Sequence, residues 1–295
     1  MEASVLIVSK NRSAELHKTL EVLQEYLNFK CHEILVFLDG CTDDSEKLID
    51  LHPEVKWEIS EENLGASKAR SILYQKAQGK VFFGFDDDAH PLQHDFIKIS
   101  NKIFTENSCV GIIAFKEVKG IFESDDDIPE EVQIKKDYLV KDFLGCGFAI
   151  KKEVYEKTRG FPEWIDIYGE EVCLAMETLE LGYDILYTHQ VVVNHRTQKQ
   201  KKNTGGANYF RFGKQLKNTA FFYLVYYPFP LLLKKIFRLY FLNFKKYGTK
   251  DKRFLKEYTR AAYSNIYHLR NVLKHRRPVS KKTIDTFNSL SNPTY

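Results

Sequence analysis

The sequence predicts an α/β fold with a mainly parallel central sheet, followed by a basic helical C-terminal extension. Short apolar runs alternate with helical segments over residues 1–85, and this order of elements is typical of parallel strands joined by helices. Polar residues follow directly after three of the apolar runs. Since ligands of open α/β sheets bind beyond the carboxyl ends of the strands, these polar residues are candidates for a binding site.

The individual elements are predicted from periodicity and from residues that begin or end helices. Ser13 is a candidate N-cap for the first helix, and Gly182 is expected to terminate a later one. The leucines that recur on one face of the first helix are Leu16, Leu20, Leu23 and Leu27. Strands are predicted at residues 5–8, 33–38, 55–59, 81–85, 110–115, 184–187 and 191–195. Further helices are predicted at residues 66–77, 95–105, 152–157 and 170–180, with a short one ending at residue 51.

Charge is distributed unevenly along the chain. Residues 199–295 contain 22 Lys and Arg residues but only three acidic residues, a net charge of +19, whereas residues 1–198 carry a net charge of −15. Such a division predicts two parts with different partners. We therefore expect an α/β domain at residues 1–198 and a basic, aromatic-rich helical region at residues 199–295. Since no groove-reading motif or basic repeat accompanies the basic region, nucleic acid is not an expected partner.

The five cysteines are scattered, and no CxxC pair occurs among them. A disulfide framework or a zinc site is therefore not expected, and a reducing compartment is favoured. The N-terminal segment has an apolar run but neither a basic region before it nor a small-residue cleavage site. It is interpreted as a first strand rather than as a signal peptide.

An uncharged run of 14 residues, 220–233, lies in the basic region. As a helix it would extend about 21 Å, short of the roughly 30 Å of bilayer hydrocarbon, and Pro228 and Pro230 interrupt it. A spanning helix is therefore disfavoured. The mixture of aromatic and basic residues after the run favours contact with an anionic membrane surface. The alternative is a set of helices that pack on the α/β domain and expose their basic faces to water.

Three consecutive aspartates, Asp86, Asp87 and Asp88, follow the apolar run FFGF. Residues i and i+2 of an extended chain face the same side, so Asp86 and Asp88 form a carboxylate pair suited to Mg²⁺ or Mn²⁺. A DxD pattern alone is weak evidence, because solvated turns contain it as well. A second acidic triplet occurs at residues 125–127. Because no apolar strand precedes it, it is predicted to be a loop.

Five segments in a fixed order resemble motifs of the inverting, GT-A-fold glycosyltransferases of family 2. These segments are VLIVSKNR, FLDGCTDDS, NLGASKAR, FFGFDDDAH and GFPEWIDIYGEEVCLAMETLELGYDILY. No single motif is decisive, but five in register are hard to explain by chance. The resemblance covers residues 3–195. It implies a GT-A (nucleotide-diphospho-sugar transferase) fold, a nucleotide-diphospho-sugar donor and a metal cofactor, Mn²⁺ or Mg²⁺.

The resemblance also implies roles for individual residues. Asp39 is expected to contact the nucleotide base, and Arg70 the nucleotide or its diphosphate. Asp86 is expected at the ribose or the metal, and Asp88 at the metal. His195 is either a further metal ligand or a structural histidine. Other donor contacts are expected from Ser9, Asn11, Arg12, Asn63 and Asp87.

Glu170 and Glu171 are the candidates for the general base, the carboxylate that takes the proton of the acceptor hydroxyl. Carboxylates are in any case favoured in the first turn of a helix by its dipole. The family has Asp more often at the second position, where this chain has Glu171. Glu171 is preferred as the base, and Glu170 is the second candidate.

These observations favour an inverting transfer of a sugar to a saccharide or lipid-linked acceptor in surface polysaccharide or glycolipid assembly. The expected location is cytoplasmic, on the inner face of the cell membrane. Two alternatives remain. A sugar-phosphate nucleotidyltransferase would carry a Gly-rich N-terminal signature, which SKNRSAELHK lacks. A non-catalytic protein that binds glycans or nucleotides would have no need to retain the acidic residues named here.

Overall fold

The computed structural model describes residues 1–122, 125–127, 136–197 and 208–294. The described strands are β1 (Ala3–Ser9), β2 (His32–Asp39), β3 (Lys56–Ser60), β4 (Val81–Asp86), β5 (Ala89–Pro91), β6 (Val110–Lys119), β7 (Tyr138–Leu139), β8 (Gly147–Lys151) and β9 (Asp184–His195). They form one sheet in the order β3–β2–β1–β4–β8–β6–β9–β5, and β7 pairs with β9 outside this path.

Most of the described strands run in the same direction. β1 pairs in parallel with β2 and β4, and β2 pairs in parallel with β3. β8 is antiparallel to both β4 and β6, so that β6 runs parallel to β4, and β9 is parallel to β6. The carboxyl ends of β1, β2, β4, β6 and β9 therefore lie at one edge of the sheet, where ligands of such folds bind.

Helices cover both faces of the sheet. The described helices are α1 (Ser13–Tyr26), α2 (Leu48–Leu51), α3 (Ala66–Lys76), α4 (Phe96–Glu106), α5 (Lys152–Tyr155), α6 (Glu170–Glu180), α7 (Tyr209–Tyr226), α8 (Leu231–Asn243), α9 (Lys252–Tyr267), α10 (Leu269–Leu273) and α11 (Lys281–Ser289). Alternate residues of β1 enter different apolar layers, as the two-residue period of a strand requires. Val5 and Ile7 belong to the layer that contains α1 and α4, and Leu6 to the layer that contains α3 and α6.

The C-terminal helices share the apolar core of the α/β region. Phe221 and Tyr226 of α7 are buried in the same cluster as residues of α3 and α6, and α9 packs against α7. The Tyr226 hydroxyl donates to Oε1 of Glu177 in α6 at 2.7 Å, and Nε of Arg159 donates to the same oxygen at 2.7 Å. Buried polar and apolar contacts therefore join α7 to α6 and to the apolar core beside the sheet.

The apolar run at residues 220–233 does not form a single helix. It is divided between α7 and α8, with residues 227–230 as the connection. Among the helices that the structure describes, none has the length and the apolar character needed to cross a bilayer, as the length of the run predicts.

Several short strands differ from the sequence prediction. Residues 184–187 and 191–195 belong to one strand, β9, whose pairing with β6 shifts register between Phe115 and Lys116. The strands β5, β7 and β8 were not predicted. β8 has the sequence GFAIK, and a buried run this short carries no alternation that distinguishes a strand from a helix.

Two local predictions are also corrected. Ser13 is the first residue of α1 rather than its N-cap, and its N–H donates to Oδ2 of Asp43 at 3.0 Å. The acidic triplet at residues 125–127 is a short 3₁₀ turn rather than a loop, and Asp125 lies 3.2 Å from Nε2 of His90.

The contact between Tyr226 and Glu177 provides a test that α7 belongs to the cooperative fold. We expect Tyr226→Phe to lower the free energy of unfolding by about 1–2 kcal/mol, because Glu177 loses a buried hydrogen bond. Tyr263→Phe is the matched control, since Tyr263 is 70% exposed, and it should change stability by less than about 0.5 kcal/mol. Urea titration followed by circular dichroism measures both. Equal, small effects of the two substitutions would contradict an integral role for α7.

Candidate active site

Asp87 and Asp88, at the end of β4, are bound to the residues that follow β1. Ser9 Oγ donates to Asp87 Oδ2 at 2.7 Å. Arg12 lies 3.3 Å from Asp87 Oδ1 and 2.6 Å from Asp88 Oδ2. Asp88 Oδ1 is buried and accepts from neither Ser9 nor Arg12; it faces Nε2 of His195 at 3.2 Å. Asp87 therefore anchors β4 to β1, whereas Asp88 keeps one oxygen available for a ligand.

The two carboxyl groups differ in acidity. Burial raises the pKa of Asp87 to about 7, although the charge of Arg12 opposes this rise. Burial acts on Asp88 as well, but His195 and Arg12 outweigh it and hold the pKa of Asp88 at about 2. Asp88 is consequently ionised at neutral pH, as a metal-binding carboxylate must be.

His195, at the end of β9, lies between two carboxylates. Its Nε2 is 3.2 Å from Asp88 Oδ1, and its Nδ1 is 2.5 Å from Oε1 of Glu117 in β6. A carboxylate on the far nitrogen fixes the orientation of a metal-binding histidine. Burial disfavours the charged imidazole, but contacts with Asp88, Cys146 and Glu117 raise the pKa of His195 to about 12. With no cation present these contacts favour the protonated imidazole, and a cation bound at Nε2 would take the place of its proton.

Asp86, Asp88 and His195 can each offer one ligand atom to a shared cation. The three atoms all lie within 4.8 Å of one another. Carboxylate oxygens and an imidazole nitrogen are suitable ligands for divalent cations. Since Asp88 Oδ1 is held by neither Ser9 nor Arg12, this donor set fits the divalent metal that the resemblance implies.

Arg70 of α3 connects Asp86 with the two glutamates of α6. Its guanidinium lies 2.8 Å from Asp86 Oδ1, 3.2 Å from Glu170 Oε1 and 3.1 Å from Glu171 Oε1. Burial alone would lower the pKa of Arg70, but these three carboxylates raise it. Gly145 makes room for the arrangement, because a Cβ there would lie 2.5 Å from an Arg70 nitrogen and 2.6 Å from Glu171 Oε1. The buried guanidinium of Arg70 thus holds three carboxylates around itself.

The two glutamates, in the first turn of α6, are not equivalent. Glu171 has 20% of its side chain exposed, whereas Glu170 has 4%. Burial and the charge of Glu171 raise the pKa of Glu170. Oε2 of Glu170 is buried without a hydrogen-bond partner among the described residues. Glu171 is therefore the more accessible of the two for a reacting molecule.

A residue of the C-terminal region fixes the segment that leads into α6. Nδ2 of Asn218 in α7 donates to the carbonyl groups of Ile167 and Tyr168 at 2.7 and 3.0 Å. Tyr168 and Gly169 have φ values of 68° and 113°, and such a conformation is costly for tyrosine unless neighbouring contacts impose it. Asn218 thereby positions the first turn of α6 and its glutamates.

Asp39, at the end of β2, organises the segment that begins α3. Its Oδ1 accepts the N–H of Leu64 at 2.6 Å, and its Oδ2 accepts the N–H of Gly65 at 3.0 Å. Asn63 precedes this pair and is exposed. In the turn after β1, Asn11 Oδ1 accepts a backbone N–H at 2.6 Å. The structure brings these candidates to the same edge of the sheet, and their contacts with a donor stay predictions.

Sequence reasoning missed several residues of this region. Glu117 was not singled out, although a charged residue inside an apolar strand is a usable signal. Arg196 follows β9, donates to Thr19 Oγ1 at 2.6 Å, and its backbone N–H donates to the carbonyl of Asp88 at 2.8 Å. Asp142 is another residue that sequence reasoning missed. Its buried carboxyl group lies near Glu171, and burial together with the charge of Glu171 raises its pKa to about 8. For Arg196 and Asp142 the sequence offers no local signal.

Comparisons with known proteins identify a family and a fold for this chain. The family model described as Glycosyl transferase family 2 matches residues 4–159. A protein of Haemophilus influenzae, described as an uncharacterized protein, is 26% identical over 175 residues, which cover 54% of this chain and 92% of that protein.

Solved structures have a similar fold. A structure of GalNAc-T7 with UDP, GalNAc and Mn²⁺ has a TM-score of 0.60 and 17% identity, and the match covers 78% of this chain and 48% of that one. This chain therefore spans about half the length of GalNAc-T7. S. aureus TarS 1-349 with UDP-GlcNAc has a TM-score of 0.58 and 13% identity, covering 88% and 81%. The mannosyltransferase PcManGT from Pyrobaculum calidifontis, with GDP-Man and Mn²⁺, has a TM-score of 0.57 and 16% identity, covering 98% and 79%.

At these identities the solved structures establish the fold alone, and they confirm the predicted GT-A architecture. The family match extends over more than half of the chain and includes Asp39, Arg70 and the acid triplet. The chain therefore belongs to glycosyltransferase family 2.

Proposed function

We propose that this protein is an inverting, metal-dependent glycosyltransferase. It would move a sugar from a nucleotide-diphospho-sugar to a hydroxyl group of a saccharide or lipid-linked acceptor, in surface polysaccharide or glycolipid assembly. The observation that carries the proposal is the Arg70 contact, which joins Asp86, one of the proposed metal-binding carboxylates, to the two glutamates. The nucleotides and nucleotide sugars bound by TarS and PcManGT support the class of donor.

The side chains at the strand ends suit a diphosphate leaving group. Asp86, Asp88 and His195 would hold Mn²⁺ or Mg²⁺, and the imidazole ligand favours Mn²⁺ of the two. When bound, the cation supplies neutralisation of the charge that develops on the leaving group. Arg12, whose side chain is 44% exposed, and Arg70 lie beside these carboxylates, and their guanidinium groups can bind phosphate oxygens.

Glu171 is proposed as the general base. The acceptor oxygen forms a bond to the anomeric carbon while the bond between that carbon and the diphosphate oxygen breaks, and Glu171 takes the hydroxyl proton. Attack opposite the leaving group inverts the anomeric configuration. Glu170 is less suited, because burial and the adjacent charge favour its protonated form and its side chain is only 4% exposed.

The first test concerns donor binding. In a screen of nucleotide sugars with Mn²⁺ or Mg²⁺, we expect at least one donor to raise the melting temperature only when metal is present. Asp88→Ala should weaken this metal-dependent binding by about tenfold or more, because a charged ligand is lost. Asp50→Ala is the matched control, since Asp50 is exposed on α2. The transferase proposal fails if no donor binds with metal, or if Asp88→Ala binds as tightly as the wild type.

The second test distinguishes the two glutamates. We expect Glu171→Gln to lower kcat by about 10²–10⁴-fold, because the amide cannot accept the proton. Glu170→Gln should lower it far less, since Glu170 is buried and favours its protonated form. Donor affinity, measured in parallel, should stay within about twofold for both variants, which separates loss of the base from a disturbed Arg70 contact. A larger loss in Glu170→Gln would reverse the assignment.

We also propose that the outer face of α8 contacts an anionic membrane on its cytoplasmic side. Leu233, Phe237 and Phe241 recur every four residues and are 62%, 71% and 54% exposed. The rings of Phe237 and Phe241 stack with centroids 5.8 Å apart. An exposed aromatic stripe of this kind is typical of helices that lie between lipid headgroups and acyl chains.

Basic residues adjoin this stripe. Lys234, Arg238 and Lys245 are exposed, and residues 228–250 contain no Asp or Glu. A Lys or Arg near an anionic leaflet contributes about 1 kcal/mol each, so the charge complements anionic lipid.

Liposome sedimentation tests this surface. We expect the double substitution Phe237→Ala and Phe241→Ala to weaken binding to phosphatidylglycerol-containing liposomes by about tenfold or more, since two exposed rings no longer enter the interface. Phe210→Ala removes a ring that is 58% exposed at the start of α7 and is the matched control. Sedimentation of the double variant like the wild type would contradict the membrane role.

A further inference from the structure

A cavity of about 350 Å³ lies beside the first turn of α6, between the α/β region and the C-terminal helices. Gly169 and Val172, on either side of the glutamate pair, line one side of it. Tyr223 of α7 and Lys235 of α8 line the other side. Asp142 also lines the cavity, and the charge of Glu171 raises the pKa of Asp142, which places the proposed base close by. An acceptor role for the cavity rests on the proposed function, in which Glu171 is the base.

Two cationic side chains line the cavity without an acidic partner. Lys141 and Lys235 form no ion pair with a carboxylate of the residues that the structure describes. Nζ of Lys235 lies 5.7 Å from the ring centroid of Tyr223 and 5.2 Å from that of Tyr227. Burial lowers the pKa of Lys235, and the charges of Arg238 and Lys141 lower it further. Cations that repel one another in this way favour the entry of an anion.

The acidic residue of the cavity does not cancel this charge. Asp142 lines the same space. Burial and the charge of Glu171 raise the pKa of Asp142 to about 8, although the charge of Lys141 opposes the rise, and this shift favours the protonated form. A protonated carboxyl group donates a hydrogen bond to an oxygen of a ligand instead of repelling it.

We propose that this cavity is the acceptor site and that Lys141 and Lys235 bind a phosphate or diphosphate group of the acceptor. Ammonium groups bind phosphate oxygens as compact charges. The rings of Tyr223 and Tyr227 offer apolar faces to the adjoining sugar or lipid. The acceptor class is thus a phosphate-bearing glycan, supplied either as a lipid-linked diphosphate or as a soluble phosphorylated saccharide.

The position of Lys235 relates the cavity to the membrane-facing stripe. Lys235 lies on the side of α8 that lines the cavity, whereas Leu233 and Phe237 are exposed on the other side. A lipid-linked acceptor would therefore keep its chain at the membrane while its diphosphate enters beside α8.

Isothermal titration with geranyl diphosphate and with inorganic pyrophosphate, in EDTA, tests this site. The expected result is binding by the wild-type protein and a dissociation constant at least about tenfold higher in Lys235→Ala and Lys141→Ala, because each removes a charged contact. Lys235→Arg should recover most of the affinity. Lys234→Ala removes the neighbouring exposed lysine and should bind like the wild type. Arg12→Ala removes an exposed guanidinium of the donor site and should not change probe affinity, whereas a probe bound at the donor site would bind this variant more weakly.

The outcomes separate this inference from the proposed function. Tighter binding of geranyl diphosphate than of pyrophosphate assigns a lipid-linked acceptor, and equal affinity assigns a soluble phosphorylated one. The inference is overturned if neither probe binds, or if Lys234→Ala weakens binding as much as Lys235→Ala. Metal-dependent donor binding by the wild-type protein, measured separately with Mn²⁺ and without EDTA, must persist in that case for the proposed function to stand. Loss of donor binding in the wild type contradicts the proposed function instead.

Discussion

The candidate active site depends on the buried guanidinium of Arg70. Asp86, Glu170 and Glu171 come from two distant segments of the chain, and their negative charges repel one another. Burial and the charge of Glu171 raise the pKa of Glu170. The charge of Arg70 opposes that rise and holds the carboxylates within 3.2 Å of its nitrogens. Because Arg70 sits on α3, Asp86 on β4 and the glutamates on α6, this one contact sets the distance between the metal-binding side and the base side. The missing side chain at Gly145 is part of the same constraint, since any Cβ there would collide with Arg70 or Glu171.

The C-terminal region takes part in this arrangement although its charge sets it apart. Asn218 holds the carbonyl groups before α6, and Tyr226 reaches Glu177 at the middle of that helix. α7 therefore determines where α6 begins and how it lies against the sheet. Charge counts describe exposed surfaces, whereas these contacts are buried. For this reason the division at residue 198 is visible in composition but does not coincide with a boundary in the apolar core, which includes residues from both sides.

The predictable part of the structure is the part that local sequence periods determine. Apolar runs indicated the main strands, and the parallel order placed Asp39 and Asp88 at one edge of the sheet. His195 became a candidate through the resemblance to family 2. Contacts between distant residues have no such local signature. Glu117 and His195 are 78 residues apart and meet because β6 and β9 pair with a shifted register. The contact of Asn218 with Ile167 spans 51 residues and connects regions of opposite charge. The sequence can thus supply candidates for a metal site, while the residues that orient them depend on tertiary packing.

The two faces of α8 give the proposed acceptor chemistry a geometric reason. An α-helix with its side chains is about 10–12 Å across, and an interfacial helix sits about 5–10 Å deep in the headgroup region. If the stripe with Phe237 faces lipid, Lys235 on the opposite side lies at the height of the phosphate groups rather than of the acyl chains. A diphosphate that joins a lipid to a sugar would then be level with the cavity, which lies beside the first turn of α6. The acceptor would be selected by where its charge is located along the molecule, because a glycan without phosphate leaves Lys141 and Lys235 facing each other without a counter-charge.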